Sequence, residues 1–74
     1  MKNLENDILK IIARNVRFNR HSMGITQEQL AEIADVHRTY IGMIERSEKN
    51  MTVLSLSKIA SALNVPIESL LKEK

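Results

Sequence analysis

The chain has 74 residues, a formal net charge of +2 and no cysteine. This length allows one domain with a small core, which a partner subunit would help to stabilise. The missing cysteine excludes disulfide bonds and thiolate metal sites. No apolar run approaches the roughly 18 residues of a membrane span, and the amphipathic start MKNLENDILKII lacks the features of a signal peptide. We therefore expect a cytoplasmic protein without a membrane partner.

Residue types that carry catalysis are scarce in this chain. The two histidines, His21 and His37, do not have metal-site spacing, and there is no glycine-rich phosphate loop. No pair of carboxylates falls in an obvious apolar cleft. The sequence therefore predicts a binding protein rather than an enzyme, with no cofactor and no metal.

The charges are grouped along the chain. Four basic residues and no acidic one fall between residues 10 and 21, and they are Lys10, Arg14, Arg17 and Arg20. Three acidic residues then follow at helical spacing, and they are Glu28, Glu32 and Asp35. On a helix these acids form one stripe. This grouping fits a polyanion partner such as DNA, with the acidic stripe facing away from it, but the charges alone fit an ordinary solvated surface equally well.

The spacing of apolar residues predicts five helices and no strands. Helix 1 runs roughly from Leu4 to Met23 and stops at Gly24, which tolerates a left-handed backbone. Helix 2 begins at Thr26, which forms a capping box with Gln29. The predicted inner faces of these two helices consist of Leu9, Ile12, Ala13, Val16, Leu30, Ile33 and Ala34.

The second half of the chain predicts three more helices. Asp35 marks a turn, and helix 3 follows from about His37 to Arg46. Thr52 caps helix 4, and Pro66 lies in the first turn of a short helix 5. The predicted inner faces here consist of Ile41, Ile44, Val53, Leu56, Ile59, Ala60 and Leu63.

Helices 2 and 3 have the pattern of a helix-turn-helix. Both are short, the link around Asp35 is tight, and Ala31 is small where the helices would cross. Ile41 then provides an apolar anchor ten residues after Ala31. Tight helix pairs also occur in bundles that bind no nucleic acid, so this pattern alone leaves both interpretations open.

A longer motif narrows the choice, since residues 26–50 read TQEQLAEIADVHRTYIGMIERSEKN. This string resembles the lambda-repressor/Cro, or Xre-type, helix-turn-helix family. Three segments carry the resemblance: Gly24–Gln27 before helix 2, Leu30–Ala31 within helix 2, and Ile44–Arg46 at the end of helix 3. It implies an all-α fold, with residues 1–74 forming one five-helix DNA-binding domain whose C-terminal helices mediate dimerisation.

Within that family the chain is most similar to controller proteins of type II restriction-modification systems. The residues behind this similarity are Arg38–Ile41, Ile44–Arg46 and Lys49–Asn50. The resemblance implies a bacterial, nucleoid-associated transcription regulator that binds a palindromic operator near its own promoter. Two alternatives remain, a phage-type repressor and, in another class, an antitoxin-like or adaptor module that binds protein.

The outer side of helix 3 contains the candidate base-reading residues. Arg38, Thr39 and Met43 lie opposite the inner residues of that helix. Arginine donates two hydrogen bonds to guanine, and threonine or methionine contacts the thymine methyl group. Tyr40 is expected at the edge of the core, with its hydroxyl near a phosphate or a base.

A second set is predicted to contact the DNA backbone. Its members are Arg17, Gln27, His37, Arg46, Lys49, Asn50 and Thr52. Gln27 either donates to a phosphate from the first turn of helix 2 or takes part in the cap of that helix. Arg46 either contacts DNA or favours the negative end of helix 3. His37 stands where the family prefers Ser or Asp, and we expect a neutral imidazole to cap helix 3 poorly.

Two further groups complete the site. The resemblance implies a structural salt bridge between Arg20 and Glu45 that orients the recognition helix. The apolar residues of helices 4 and 5 exceed what one core needs, which predicts a two-fold dimer interface. Its residues are Leu54, Val65, Ile67 and Leu71. Double-stranded operator DNA and a second copy of the chain are the predicted partners; two dimers on adjacent sites and RNA polymerase are further candidates.

Overall fold

The computed structural model describes residues 4–48 and 51–73, with side chains from residue 7 onward. It contains four α-helices and one 3₁₀ helix; these are α1 (Leu4–Ser22), α2 (Gln27–Ala34), α3 (Arg38–Glu45), α4 (Val53–Ala62) and the 3₁₀ helix Ile67–Leu70. The described residues include no strand, so the prediction of an all-helical fold is confirmed. Over the same ranges, every helix is too short or too polar to span a membrane.

Local interactions of the backbone determine where α1 ends and where α2 begins and ends. After α1 ends at Ser22, Gly24 takes a left-handed conformation with a φ of 69°. Thr26 then caps α2: its hydroxyl accepts from the Gln29 N–H, and the Gln29 side chain accepts from the Thr26 N–H. The capping box predicted from the sequence is therefore confirmed. Asp35 ends α2 in the left-handed region with a φ of 59°.

His37 and Thr52 cap the next two helices. The His37 Nδ1 accepts a hydrogen bond from the Thr39 N–H at 3.1 Å, so the expectation that this imidazole caps poorly is wrong. The ring reaches the amide because His37 has an extended backbone just before the first turn of α3. The Thr52 hydroxyl likewise accepts from the Ser55 N–H at the start of α4.

The prediction of a fifth α-helix is wrong, since residues 67–70 form a single 3₁₀ turn. The chain leaves α4 through Asn64 in a left-handed conformation, and Pro66 precedes the turn. The Asn15 side chain of α1 then donates to the carbonyl oxygens of Leu70 and Lys72, at 2.9 and 2.8 Å. A side chain thus satisfies these carbonyls in place of the amides of a continuing helix.

Apolar residues from all five elements form one core, with Val16, Leu30, Ile41, Ile59 and Leu70 fully buried. Two residues predicted to face inward do not. The buried face of α2 is centred on Leu30, Ala31 and Ala34, which leaves Ile33 outside it and 55% exposed. Val53 lies in the first turn of α4, beyond the core, and is 77% exposed.

A buried polar network joins α1 to the end of α3. The Arg20 Nε donates to the Glu45 Oε2 at 2.7 Å, and the Arg20 Nη2 donates to the Oε1 at 3.0 Å. The Gln27 amide donates to the same Oε1 at 3.0 Å, while the Arg20 Nη1 donates to the Ile25 carbonyl. The Arg17 guanidinium donates to the main-chain carbonyl of Glu45. These bonds fix the last turn of α3 against α1 and the start of α2.

The network provides a stability test, because the Glu45 side chain is only 3% exposed and the Arg20 side chain only 12%. Replacing Glu45 with Gln leaves the Arg20 charge without a counter-charge. We expect Glu45→Gln to lower the free energy of unfolding by about 3 kcal/mol, the low end of the cost of breaking a buried pair. Urea denaturation followed by far-UV circular dichroism measures this change.

Glu48→Gln is the matched control, since Glu48 pairs with Arg46 at the surface and both side chains are about half exposed. A surface pair contributes only about 0–1 kcal/mol. Equal losses of stability in the two variants would contradict a dominant role for the buried network.

Candidate nucleic-acid interface

An open depression of about 580 Å³ lies where α2 and α3 meet α1. It is lined by Arg20, Thr26, Gln27, Glu28, Arg38, Thr39, Gly42 and Arg46. Three of these residues are arginines and one is acidic. The first turn of α2 adds backbone N–H groups that have no acceptor within the helix, at its positive end. A wide polar surface of this kind fits an extended anion better than a small apolar ligand.

The start of α3 brings Arg38 and Thr39, two of the four predicted base-reading residues, to this surface, whereas Tyr40 and Met43 do not line the depression. Arg38 and Thr39 are exposed, while Met43 is half-buried. Tyr40 is also half-buried and packs against the core. Ile41 and Ile44 are fully buried beneath them. The helix therefore presents Arg38 and Thr39 outward and anchors its opposite side in the core.

Arg38 has a partner that the sequence analysis did not foresee. Its Nη1 lies 2.6 Å from the Glu28 Oε2, and both side chains are about two-thirds exposed. Glu28 belongs to the acidic stripe that the sequence predicts on α2, and the structure brings it to the same depression as Arg38. Glu28 lies in the first turn of α2, which packs directly beside the start of α3.

Gly42 lies where the side chains of Arg46 and Gln27 pass over α3. A Cβ atom at this position would lie 3.1 Å from the Arg46 Nη1 and 3.5 Å from the Gln27 Oε1. The missing side chain leaves space for the Arg46 guanidinium to fold back along its own helix. Arg46 also pairs with Glu48 at 3.1 Å.

The structure gives several predicted backbone-contacting residues an intramolecular role. Gln27 bonds to Glu45, a role that neither prediction for it included. Arg17 donates to the end of α3, while His37 and Thr52 cap helices. Lys49 and Asn50 lie outside the described residues. The Arg20–Glu45 pair implied by the family resemblance is present.

An apolar groove of about 340 Å³ forms a second candidate surface. It is lined by Ile8, Leu9, Ile12, Met51, Thr52, Val53, Leu56, Ile67 and Leu71. Of the four predicted interface residues, Leu54 and Leu71 are exposed. Ile67 and Val65 are half-buried because they pack against the core of the same chain.

Ile8 and Val53 also belong to this apolar surface, where they were not predicted, and they are 47% and 77% exposed. Ile8 precedes the buried Ile12 by one helical turn, a spacing that gives no signal of exposure. Val53 was predicted to be inside because it continues the apolar face of α4. Together with Leu71, these residues bring α1, α4 and the 3₁₀ helix to one groove.

Comparison with known proteins matches this geometry to a family. A model of the helix-turn-helix family matches residues 17–70. Control protein C.SmaI of Serratia marcescens is 51% identical over 65 residues, which cover 88% of this chain and 77% of that protein.

Solved structures of controller proteins are also similar. The restriction-modification controller protein C.AhdI of Aeromonas hydrophila superposes with a TM-score of 0.81 at 31% identity, covering 84% of this chain and 94% of that one. The controller protein C.Esp1396I, solved as a tetramer in complex with its natural 35 base-pair operator, has a TM-score of 0.76 at 34% identity. That match covers 88% of this chain and 96% of the other. These matches confirm the predicted resemblance, and the chain belongs to the Xre-type helix-turn-helix family.

Proposed function

We propose that this chain is a restriction-modification controller protein, a transcription regulator that binds a palindromic operator near its own promoter as a dimer. The observation that carries the proposal is the way α3 is held. Arg38 and Thr39 are exposed at its start, and Glu45 at its end is bonded to Arg20. A helix fixed in this way can enter the major groove with its N-terminal residues at the base edges.

In this proposal α2 and α3 form the helix-turn-helix, and α3 is the recognition helix. Arg38 would donate to a guanine, while Thr39 and Met43 would contact thymine methyl groups. Tyr40 would use its hydroxyl at the edge of the interface. The half-burial of Tyr40 and Met43 supports a smaller contribution from them than from Arg38 and Thr39.

The phosphate contacts would come from the residues around this helix pair. Arg46 lies on the depression, and the Gln27 main chain lies at the positive end of α2. Arg17 uses one guanidinium nitrogen on the Glu45 carbonyl and holds further donors for a phosphate. Lys49, Asn50 and Thr52 would contact the backbone near the start of α4, and His37 near the start of α3.

Dimerisation would use the apolar groove and the residues beside it. Leu54 and Leu71 are the exposed members of the predicted interface, and Ile8 and Val53 extend it. The 74 residues would then form one DNA-binding domain with α4 and the 3₁₀ helix as its dimerisation elements. A two-fold dimer would place its recognition helices about 34 Å apart, one turn of DNA.

Two further partners would be brought close to this protein on its operator, a second dimer and RNA polymerase. Two dimers on adjacent sites are proposed because the related C.Esp1396I was solved as a tetramer on its operator. RNA polymerase is a further proposed partner of a regulator bound beside a promoter. Such a protein would act in the bacterial cytoplasm, on the nucleoid, through binding rather than catalysis.

Selection of bound sequences from a random DNA pool, followed by footprinting, tests the proposal. We expect a palindromic site, with an affinity that falls steeply as salt rises because phosphate contacts release counterions. Failure to form a specific complex at low salt would overturn the proposal and favour a protein-binding module. A phage-type repressor would share this DNA chemistry, and the neighbouring genes distinguish the two circuits.

Arg38→Ala tests the role of α3. We expect a loss of about 1–3 kcal/mol in operator binding and a relaxed base preference at one position of each half-site. Fluorescence anisotropy on operators changed one base pair at a time measures both effects. Lys58→Ala, which removes an equal charge from the exposed side of α4, should preserve the base preference. A uniform loss on all sequences would assign Arg38 to a phosphate.

Leu71→Glu tests the apolar groove. We expect the dimer dissociation constant to rise by about tenfold or more, since an unpaired carboxylate is costly to bury. Sedimentation velocity over a range of concentrations measures it. Ile33→Glu is the matched control, because Ile33 is similarly exposed but lies outside the groove. An unchanged dimer in the Leu71 variant would remove this groove from the interface.

A further inference from the structure

Glu28 is an acidic residue on the surface that we propose meets DNA. It lines the same depression as Arg20, Arg38 and Arg46. An unpaired carboxylate there would repel the phosphates, so its position requires a physical reason. The contact at 2.6 Å between the Glu28 Oε2 and the Arg38 Nη1 supplies one.

Stability of the free protein does not explain this contact. Both side chains are about two-thirds exposed, and ion pairs in such positions contribute little to folding. Docking against DNA would strengthen the ion pair between Glu28 and Arg38, because it removes water from the surface and so lowers the effective dielectric constant. The pair therefore acquires its main effect in the complex.

The geometry of the guanidinium shows what that effect is. Glu28 bonds to Nη1, whereas the Nε and Nη2 of Arg38 form a separate edge with two parallel donors. Two parallel donors are what the O6 and N7 atoms of guanine accept. The carboxylate meanwhile cancels the charge that would draw Arg38 to a phosphate. An arginine paired in this way can still donate its two directional hydrogen bonds to a base, but its electrostatic attraction to the phosphates is weakened.

We propose that Glu28 is a specificity-determining positioning residue that orients Arg38 towards a base and withholds it from the DNA backbone. This inference rests on the proposed function and deepens it. On operator DNA the pair holds the guanidinium in the plane of a guanine. On other sequences Arg38 stays with Glu28 and adds little affinity.

Glu28→Gln tests the proposal, because the amide keeps the size of the side chain and removes its charge. We expect the ratio of operator affinity to non-specific affinity to fall by about tenfold, towards the lower end of what one bidentate base contact contributes. Most of the fall should come from tighter non-specific binding. The salt dependence on non-specific DNA should steepen by about 0.9, the increment for one added phosphate contact.

Glu32→Gln is the matched control. It removes the same charge from α2 one turn further along, and Glu32 does not line the depression. We expect it to change the two affinities alike and so preserve their ratio. The double variant Glu28→Gln/Arg38→Ala should have the same ratio of operator affinity to non-specific affinity as Arg38→Ala alone, since the proposed effect depends on Arg38.

Two results would overturn the inference while leaving the proposed function intact. One is a wild-type chain that selects its operator and a Glu28→Gln variant whose ratio matches that of Glu32→Gln. The other is an equal fall in the ratio when Arg38 is already Ala. If instead the wild-type chain selects no operator, the proposed function itself fails. An unchanged urea midpoint in Glu28→Gln excludes unfolding as the cause.

Discussion

The position of α3 depends on one buried carboxylate. Glu45 accepts from Arg20 and Gln27 through its side chain and from Arg17 through its main chain. Each donor comes from α1 or from the first turn of α2. A short helix with eight residues has little intrinsic stability, so its orientation must come from such contacts together with the buried Ile41 and Ile44. The polar network holds the last turn of α3 against α1 and α2, and the two isoleucines hold the inner side of α3 in the core.

The local signals of the sequence were sufficient for most of the fold. Thr26 and Gln29 form the predicted box, Asp35 makes the predicted turn, and the four α-helices begin within one residue of their predicted starts. These features depend on neighbours along the chain, which a sequence displays directly. The family resemblance implied the Arg20–Glu45 pair, which composition and periodicity could not supply because the two residues lie on different helices.

Other features were missed for a different reason, since they depend on how segments that are distant along the chain pack together. The predicted fifth helix is a single 3₁₀ turn, and Asn15, more than fifty residues earlier, bonds to the carbonyls of Leu70 at its end and of Lys72 beyond it. Val53 is exposed because α4 extends beyond the core at its first turn. Glu28 belongs to an acidic stripe on its own helix, yet it faces the start of α3. In the candidate site, Arg38 and Thr39 were predicted at the surface, but the Glu28–Arg38 and Gln27–Glu45 contacts were not.

The hydrogen bond that caps α3 also determines the chemical form of a side chain at the proposed interface. Because the Thr39 amide donates to the His37 Nδ1, that nitrogen carries no proton. In the tautomer that fits this bond, the ring proton resides on Nε2. This tautomer provides an acceptor to the helix and an N–H donor on the far side of the ring. His37 can thus cap a helix and present an N–H donor at the same time, a combination that an ionised Asp does not offer, because a carboxylate only accepts.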